Sequence, residues 1–171
     1  LLTAFAASDR AGAMATSEYQ LKAVFLFNFA QFVEWPPHAF AAENDPLGIC
    51  VVGPDPFGNE LEAVMEGEQI SGRPIALRRF ERAADMEGCH LVFVGRTAEG
   101  EQRNALARVQ GERVLTVGET EEFIANGGMI RFFTEQNRVR LQINPDAADE
   151  AHLRVSSKLL RSSQIVAKVE R

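Results

Sequence analysis

The chain has 171 residues and is 46% hydrophobic, enough for one domain with its own core and too little for several. Its formal net charge is −6 and its basic residues are scattered, which excludes the electrostatic footprint of a nucleic-acid binder. No stretch after the first 15 residues approaches the ~18–20 continuous apolar residues of a membrane span.

The N-terminus opens on an apolar segment, Leu1 to Ala7, followed by small residues ending Ala13-Met14-Ala15. An apolar run before an A-x-A pattern reads as the tail of a secretory signal peptide, with a disordered leader as the alternative. Residues 1–15 are therefore set apart from a single domain over 16–171. Ser17-Glu18-Tyr19-Gln20 has the spacing of a capping box. Leu21, Val24, Phe25, Asn28, Phe29, Phe32 and Val33 then recur at helical spacing, with Leu26 and Phe27 off that stripe. Trp35-Pro36-Pro37 ends the helix, because proline cannot continue the backbone ladder.

Gly48 to Gly53 reads as a buried strand, and Asp55 as the cap of a short helix through Leu61, Val64 and Met65. Ile75 to Phe80 is a second strand and His90 to Gly95 a third. Thr97 is expected to cap a helix carrying Leu106, Ala107 and Val109. Arg113 to Gly118 is a fourth strand, and a short helix from Glu119 to Ala125 ends at Asn126-Gly127-Gly128. Met129 to Phe133 and Val139 to Ile143 flank the polar turn Glu135-Gln136-Asn137-Arg138, which is a hairpin pattern. Asp146 to Glu150 and Ser157 to Ile165 read as closing helices. Strands alternating with helices argue an α/β fold: a single mixed sheet of about six strands, helices on both faces, with Rossmann-like layering.

Export would carry the two cysteines, Cys50 and Cys89, into an oxidising compartment, where a disulfide is the expected state and two buried thiols the alternative. Cys50 falls in the first strand and Cys89 just before the third, so neighbouring strands make a bridge plausible. His38, His90 and His152 are scattered, and no convergent ligand set predicts a metal site. No nucleophile elbow, P-loop or zinc-protease motif is present, and two prolines spoil Gly53 to Gly58 as a phosphate turn. No cofactor and no catalytic residue is predicted; the pattern favours a binding protein over an enzyme.

Phe29-Ala30-Gln31-Phe32-Val33-Glu34-Trp35-Pro36 resembles the N-terminal signature of the YfiR/HmsC-like family of periplasmic proteins. Val114 to Gly118, Gly127-Gly128-Met129-Ile130, Asn137 to Arg140 and Ser156 to Arg161 resemble that family's second half, in the same order. The resemblance covers Tyr19 to Val166 and includes the Cys50 and Cys89 positions, which look like a family disulfide. It implies a periplasmic regulator that binds the sensor domain of an inner-membrane diguanylate cyclase and restrains cyclic-di-GMP production and biofilm. It further implies a homodimer and sequestration by an outer-membrane lipoprotein. A second cysteine pair, which the family's founding member carries in its C-terminal half, is missing here, so redox control assigned to that pair does not carry over. A small-ligand sensor module, binding at the edge of the sheet, is the alternative function.

For a binding protein the apolar residues outside the expected stripe matter most. Leu26, Phe27, Trp35, Phe132 and Phe133 are the candidate partner surface, each with a core role as the competing explanation.

Overall fold

The structure, a computed structural model, describes residues 3–161 and 164–165, with side chains over 18–161. A long helix, α1 (Thr3–Phe32), leads through β1 (Val33–Glu34) and a 3-10 turn at Pro37–Ala39 into the sheet. There follow β2 (Leu47–Val52), α2 (Glu60–Met65), β3 (Gln69–Ile70), β4 (Arg73–Phe80) and β5 (Leu91–Val94). Next come α3 (Glu99–Arg108), β6 (Leu115–Gly118), α4 (Glu121–Ala125), β7 (Ile130–Glu135) and β8 (Arg138–Ile143). The chain closes with α5 (Pro145–Glu150), β9 (Arg154–Val155), α6 (Ser157–Arg161) and β10 (Gln164–Ile165).

The main sheet has the order β10-β8-β7-β6-β5-β2-β4-β3, and β1 pairs with β9 in a separate two-stranded ribbon. Five of its strands, β4, β2, β5, β6 and β7, run parallel in adjacent pairs; β8 returns antiparallel to β7. The mixed α/β expectation holds, and its six strands are the six longer ones. Two dipeptide edge strands, β3 and β10, add to them, being too short to carry a period-two signal.

One sheet face carries the larger core. Ile49, Val51, Phe93, Val117, Ile130 and Phe132 meet Leu26 and Phe29 of α1 and Leu61 of α2 there. The other face packs Cys50, Val52, Val92 and Val94 against Ala105 of α3 and Phe123 of α4. Strands buried on both faces read as continuous apolar runs, which is why β2 and β5 stand out in the sequence. Gly118 and Gly128 form the slot for the Phe123 ring: a Cβ at either position would fall inside it.

Several expectations need correction. The helix runs unbroken from Thr3 through Ser17, so the capping-box pattern does not start it; Ala-rich sequence is the best helix former. Its buried stripe is Lys22, Ala23, Leu26, Phe29 and Ala30, whereas Leu21 and Val24 are 45% and 39% exposed. A helix apolar on several faces does not reveal its phase, and here a buried charge sets it. Val33 leaves the helix for β1. Thr97 caps nothing; α3 starts after Ala98 without a side-chain cap. Instead Thr120 caps α4 and Asn144 caps α5, each accepting from the backbone N–H three residues on, at 3.2 Å. Asp55 accepts from the Phe57 N–H and pairs with Arg79 rather than capping α2. The expected helix from Ser157 to Ile165 is α6 followed by β10, with residues 162–163 outside the described residues.

Candidate functional site

The carboxyl edge of the parallel strands is where open α/β sheets place ligands. Here that edge is filled by the protein itself. Glu119 directly follows β6 and its side chain is 1% exposed; it accepts from Lys22 Nζ of α1 at 2.6 Å, a lysine 2% exposed. Glu18, one turn earlier on α1, also holds the Lys22 ammonium. Tyr19 donates its hydroxyl to Glu119 Oε2 at 3.3 Å, and the exposed Arg96 reaches the same oxygen at 3.4 Å. Burial first, then the Glu119 charge, pushes the Tyr19 phenol up to about 12. Lys22 also lies over the Tyr19 ring, 4.5 Å from its centroid. Every charge is answered within the chain, so the cluster fastens α1 to the sheet. At the switch between β2 and β5, the Pro54 carbonyl packs so closely on Gly95 that a Cβ there would collide with it. Arg79 secures this loop with Asp55 at 2.6 Å and Glu62 at 2.7 Å.

The amino edge holds the cysteines. Cys50 on β2 and Cys89 are joined by a disulfide with a Cα separation of 5.7 Å. The register sets Cys50 opposite Val92, so Cys89 meets it not as a ladder partner but where the Gly88–Cys89 segment, just before β5, crosses over β2. Gly48 lets the Gly88 carbonyl press directly onto β2, where any side chain would clash. His90 completes the join. Its Nδ1 accepts from the Gly48 N–H at 3.0 Å, so the proton sits on Nε2, which donates to the Ala39 carbonyl at 2.9 Å. Burial holds the His90 pKa below its ordinary value. A cavity of about 500 Å³ opens beside this join, lined by Asp45, Arg78, Glu87, His90, Arg108 and Glu112. Its mixed charges select no ligand sign.

The five candidate surface residues separate. Leu26 and Phe132 are fully buried in the larger core, which corrects their place on a partner surface. Phe132 stacks on Phe29 with ring centroids 5.7 Å apart. Phe27 and Trp35 are half-buried against that core. Trp35 Nε1 donates to the Ala30 carbonyl at 2.9 Å, anchoring the turn at Pro36. Phe133 is half-buried and belongs to neither core. Leu21 and Val24 are exposed although both fall on the apolar helical stripe, so nothing in the local pattern signals their exposure.

A groove of about 970 Å³ is bounded by α3, α4 and α5, with Leu106, Ile124, Met129 and Ala151 in its wall and Arg103 and Glu150 at its rim. Among the described residues no group of three or more metal-ligating side chains converges. No helix there is long and apolar enough to cross a membrane.

Comparison with known proteins gives one family and one fold. The family model described as YfiR/HmsC-like matches residues 19–164. No curated protein shows significant similarity to the chain. Among solved structures, a conserved domain protein from Vibrio cholerae O1 biovar El Tor matches with a TM-score of 0.53 at 10% identity, over 70% of this chain and 54% of that one. An ABC domain from Streptococcus pneumonia, solved in complex with L-Trp, matches with a TM-score of 0.53 at 10% identity, over 70% of this chain and 55% of that one. The chain thus spans about half the length of each solved structure, and at such identity the likeness is one of fold alone.

Proposed function

The chain belongs to the YfiR/HmsC-like family, and from that premise we propose that it is a periplasmic regulatory binding protein. It represses an inner-membrane diguanylate cyclase through the cyclase's periplasmic sensor domain, restraining cyclic-di-GMP signalling and biofilm formation. The protein acts as a homodimer, and an outer-membrane lipoprotein sequesters it.

The single observation that carries this reading is the family match, which spans the body of the fold from α1 to β10. Two structural features support it. The Cys50–Cys89 disulfide suits an oxidising compartment. The carboxyl-edge charges are satisfied within the chain, as a rigid binding scaffold requires.

The test is affinity capture of the oxidised protein from solubilised membranes, with cyclic-di-GMP measured in a deletion strain. Recovery of a membrane protein that joins a periplasmic sensor to a cyclase domain, together with raised cyclic-di-GMP on deletion, is the expected result. Unchanged cyclic-di-GMP and no cyclase recovered would end the proposal. The groove between α3 and α5 favours a second reading, a small-ligand sensor module. A metabolite that raises the melting temperature would support it.

A further inference from the structure

Alternation sorts the β7–β8 hairpin into two faces. Ile130, Phe132, Leu141 and Ile143 point into the larger core. The intervening cross-strand pairs, Arg131 with Gln142, Phe133 with Arg140 and Glu135 with Arg138, therefore share the opposite face. Helices α3 and α4 cover that side of the sheet over β2, β5 and β6, and their core stops short of Phe133.

The charges on this face are only loosely answered. Arg131 donates to Gln142 at 2.9 Å and stands 3.6 Å from Glu121, an exposed side chain, while its buried Nε has no acceptor. Arg140 reaches Glu135 at 3.8 Å. Arg138 is exposed and pairs with no carboxylate within 4.0 Å among the described residues. Phe133 lies between them, with the Arg131 guanidinium 5.4 Å from its ring centroid. On a chain of net charge −6, this is a basic face centred on an aromatic. Contrast the carboxyl edge, where Lys22, Glu119 and Arg96 are satisfied internally. Arginine and aromatic side chains are the residues enriched at binding hot spots, and guanidinium forks match carboxylates bidentately. Complementary charge selects an occupant rich in Asp and Glu, and the Phe133 ring selects an apolar side chain within it.

We propose that the outer face of the β7–β8 hairpin docks an acidic segment of a partner protein. Arg131, Arg138 and Arg140 bind its carboxylates, and an apolar side chain of the segment covers Phe133. That this partner is the sensor domain of a membrane cyclase rests on the regulatory reading above; the chemistry of the surface does not.

The test is photo-cross-linking in the periplasm of cells making the full chain with benzoylphenylalanine in place of Phe133, and separately in place of Arg138. Disulfide formation and melting are checked for each. The expected adduct maps by mass spectrometry to an acidic segment of a membrane cyclase, and its yield falls at least tenfold with Arg138→Glu or Arg140→Glu introduced at the unprobed position. An adduct with an acidic segment of some other protein, lost on the same charge reversal, upholds the surface and overturns the cyclase reading. An adduct with lipid, a second copy of this chain or a non-acidic segment overturns the surface. So does a yield indifferent to charge reversal, or no adduct from a folded probe; capture of the cyclase by the wild-type chain then still decides the regulatory reading on its own.

Discussion

Replacing Lys22 with methionine tests how α1 is held. The substitution keeps the length and removes the charge, leaving Glu119 buried with the Tyr19 hydroxyl at 3.3 Å and Arg96 at 3.4 Å as its remaining partners. Removing one member of a buried ion pair costs about 3–5 kcal/mol, because the other charge stays desolvated and unpaired. Since Tyr19 and Arg96 remain, Lys22→Met is expected at the lower end, about 3 kcal/mol. That is a large share of the ~5–15 kcal/mol that holds a domain folded. Adding Glu119→Leu removes the stranded charge. The double variant should be more stable than the sum of the two single changes by about 2 kcal/mol, the coupling expected of side chains in one network. Urea unfolding followed by circular dichroism at constant pH, with the disulfide intact, reads all four corners of the cycle. A loss below about 1 kcal/mol for Lys22→Met, or strict additivity, would refute a buried pair fastening α1 to β6.

Reduction of the Cys50–Cys89 bridge, which closes a separation of 39 residues, should cost about 4 kcal/mol in the chain-entropy model; equal urea midpoints for oxidised and reduced protein would contradict this. Gly128→Ala should destabilise by about 1–3 kcal/mol, through overpacking of the Phe123 ring, and thermal melting measures it. Tyr19 is the single tyrosine of the chain, so the absorbance titration of tyrosinate reports it alone, with a midpoint near 12 when folded. Because that pKa is raised, its contribution to stability is complete below the unfolded value of about 10 and is lost as pH climbs through the folded one. His90 has the opposite sense. Its folded pKa is lowered, so stability is complete above the unfolded value of about 6.5 and falls as pH drops below it toward the folded pKa. Melting temperature against pH should show that slope in the wild type and lose it in His90→Asn.

The central strands, the hairpin and the disulfide were legible because each depends on local pattern or chemistry. β2 and β5 are apolar throughout, being covered on both faces. The turn at Gln136 and Asn137, with φ of 50° and 59°, is the two-residue reversal that the polar break between two apolar runs announces. A chain with two cysteines offers each one partner only.

The phase of α1 and the fate of its charges were not legible. Leu21 and Val24 fall on the apolar stripe and Lys22 does not, yet the structure exposes the first two and buries the lysine. The reason is Glu119, 97 residues away in the sequence, whose carboxylate offsets the burial of the Lys22 ammonium. Two residues of the candidate surface are core for a related reason. Leu26 and Phe132 lie under one another's elements, and only the packing of α1 across β7 shows it. Phe133, one residue along the same strand, was left outside both cores by the sheet's alternation. Local sequence thus determined the longer strands and the hairpin, and two cysteines left one possible pairing. The meeting of distant segments decided which faces are buried, which charges are answered and which side chains remain open to a partner, because burial and pairing are properties of contacts between elements and not of any one of them.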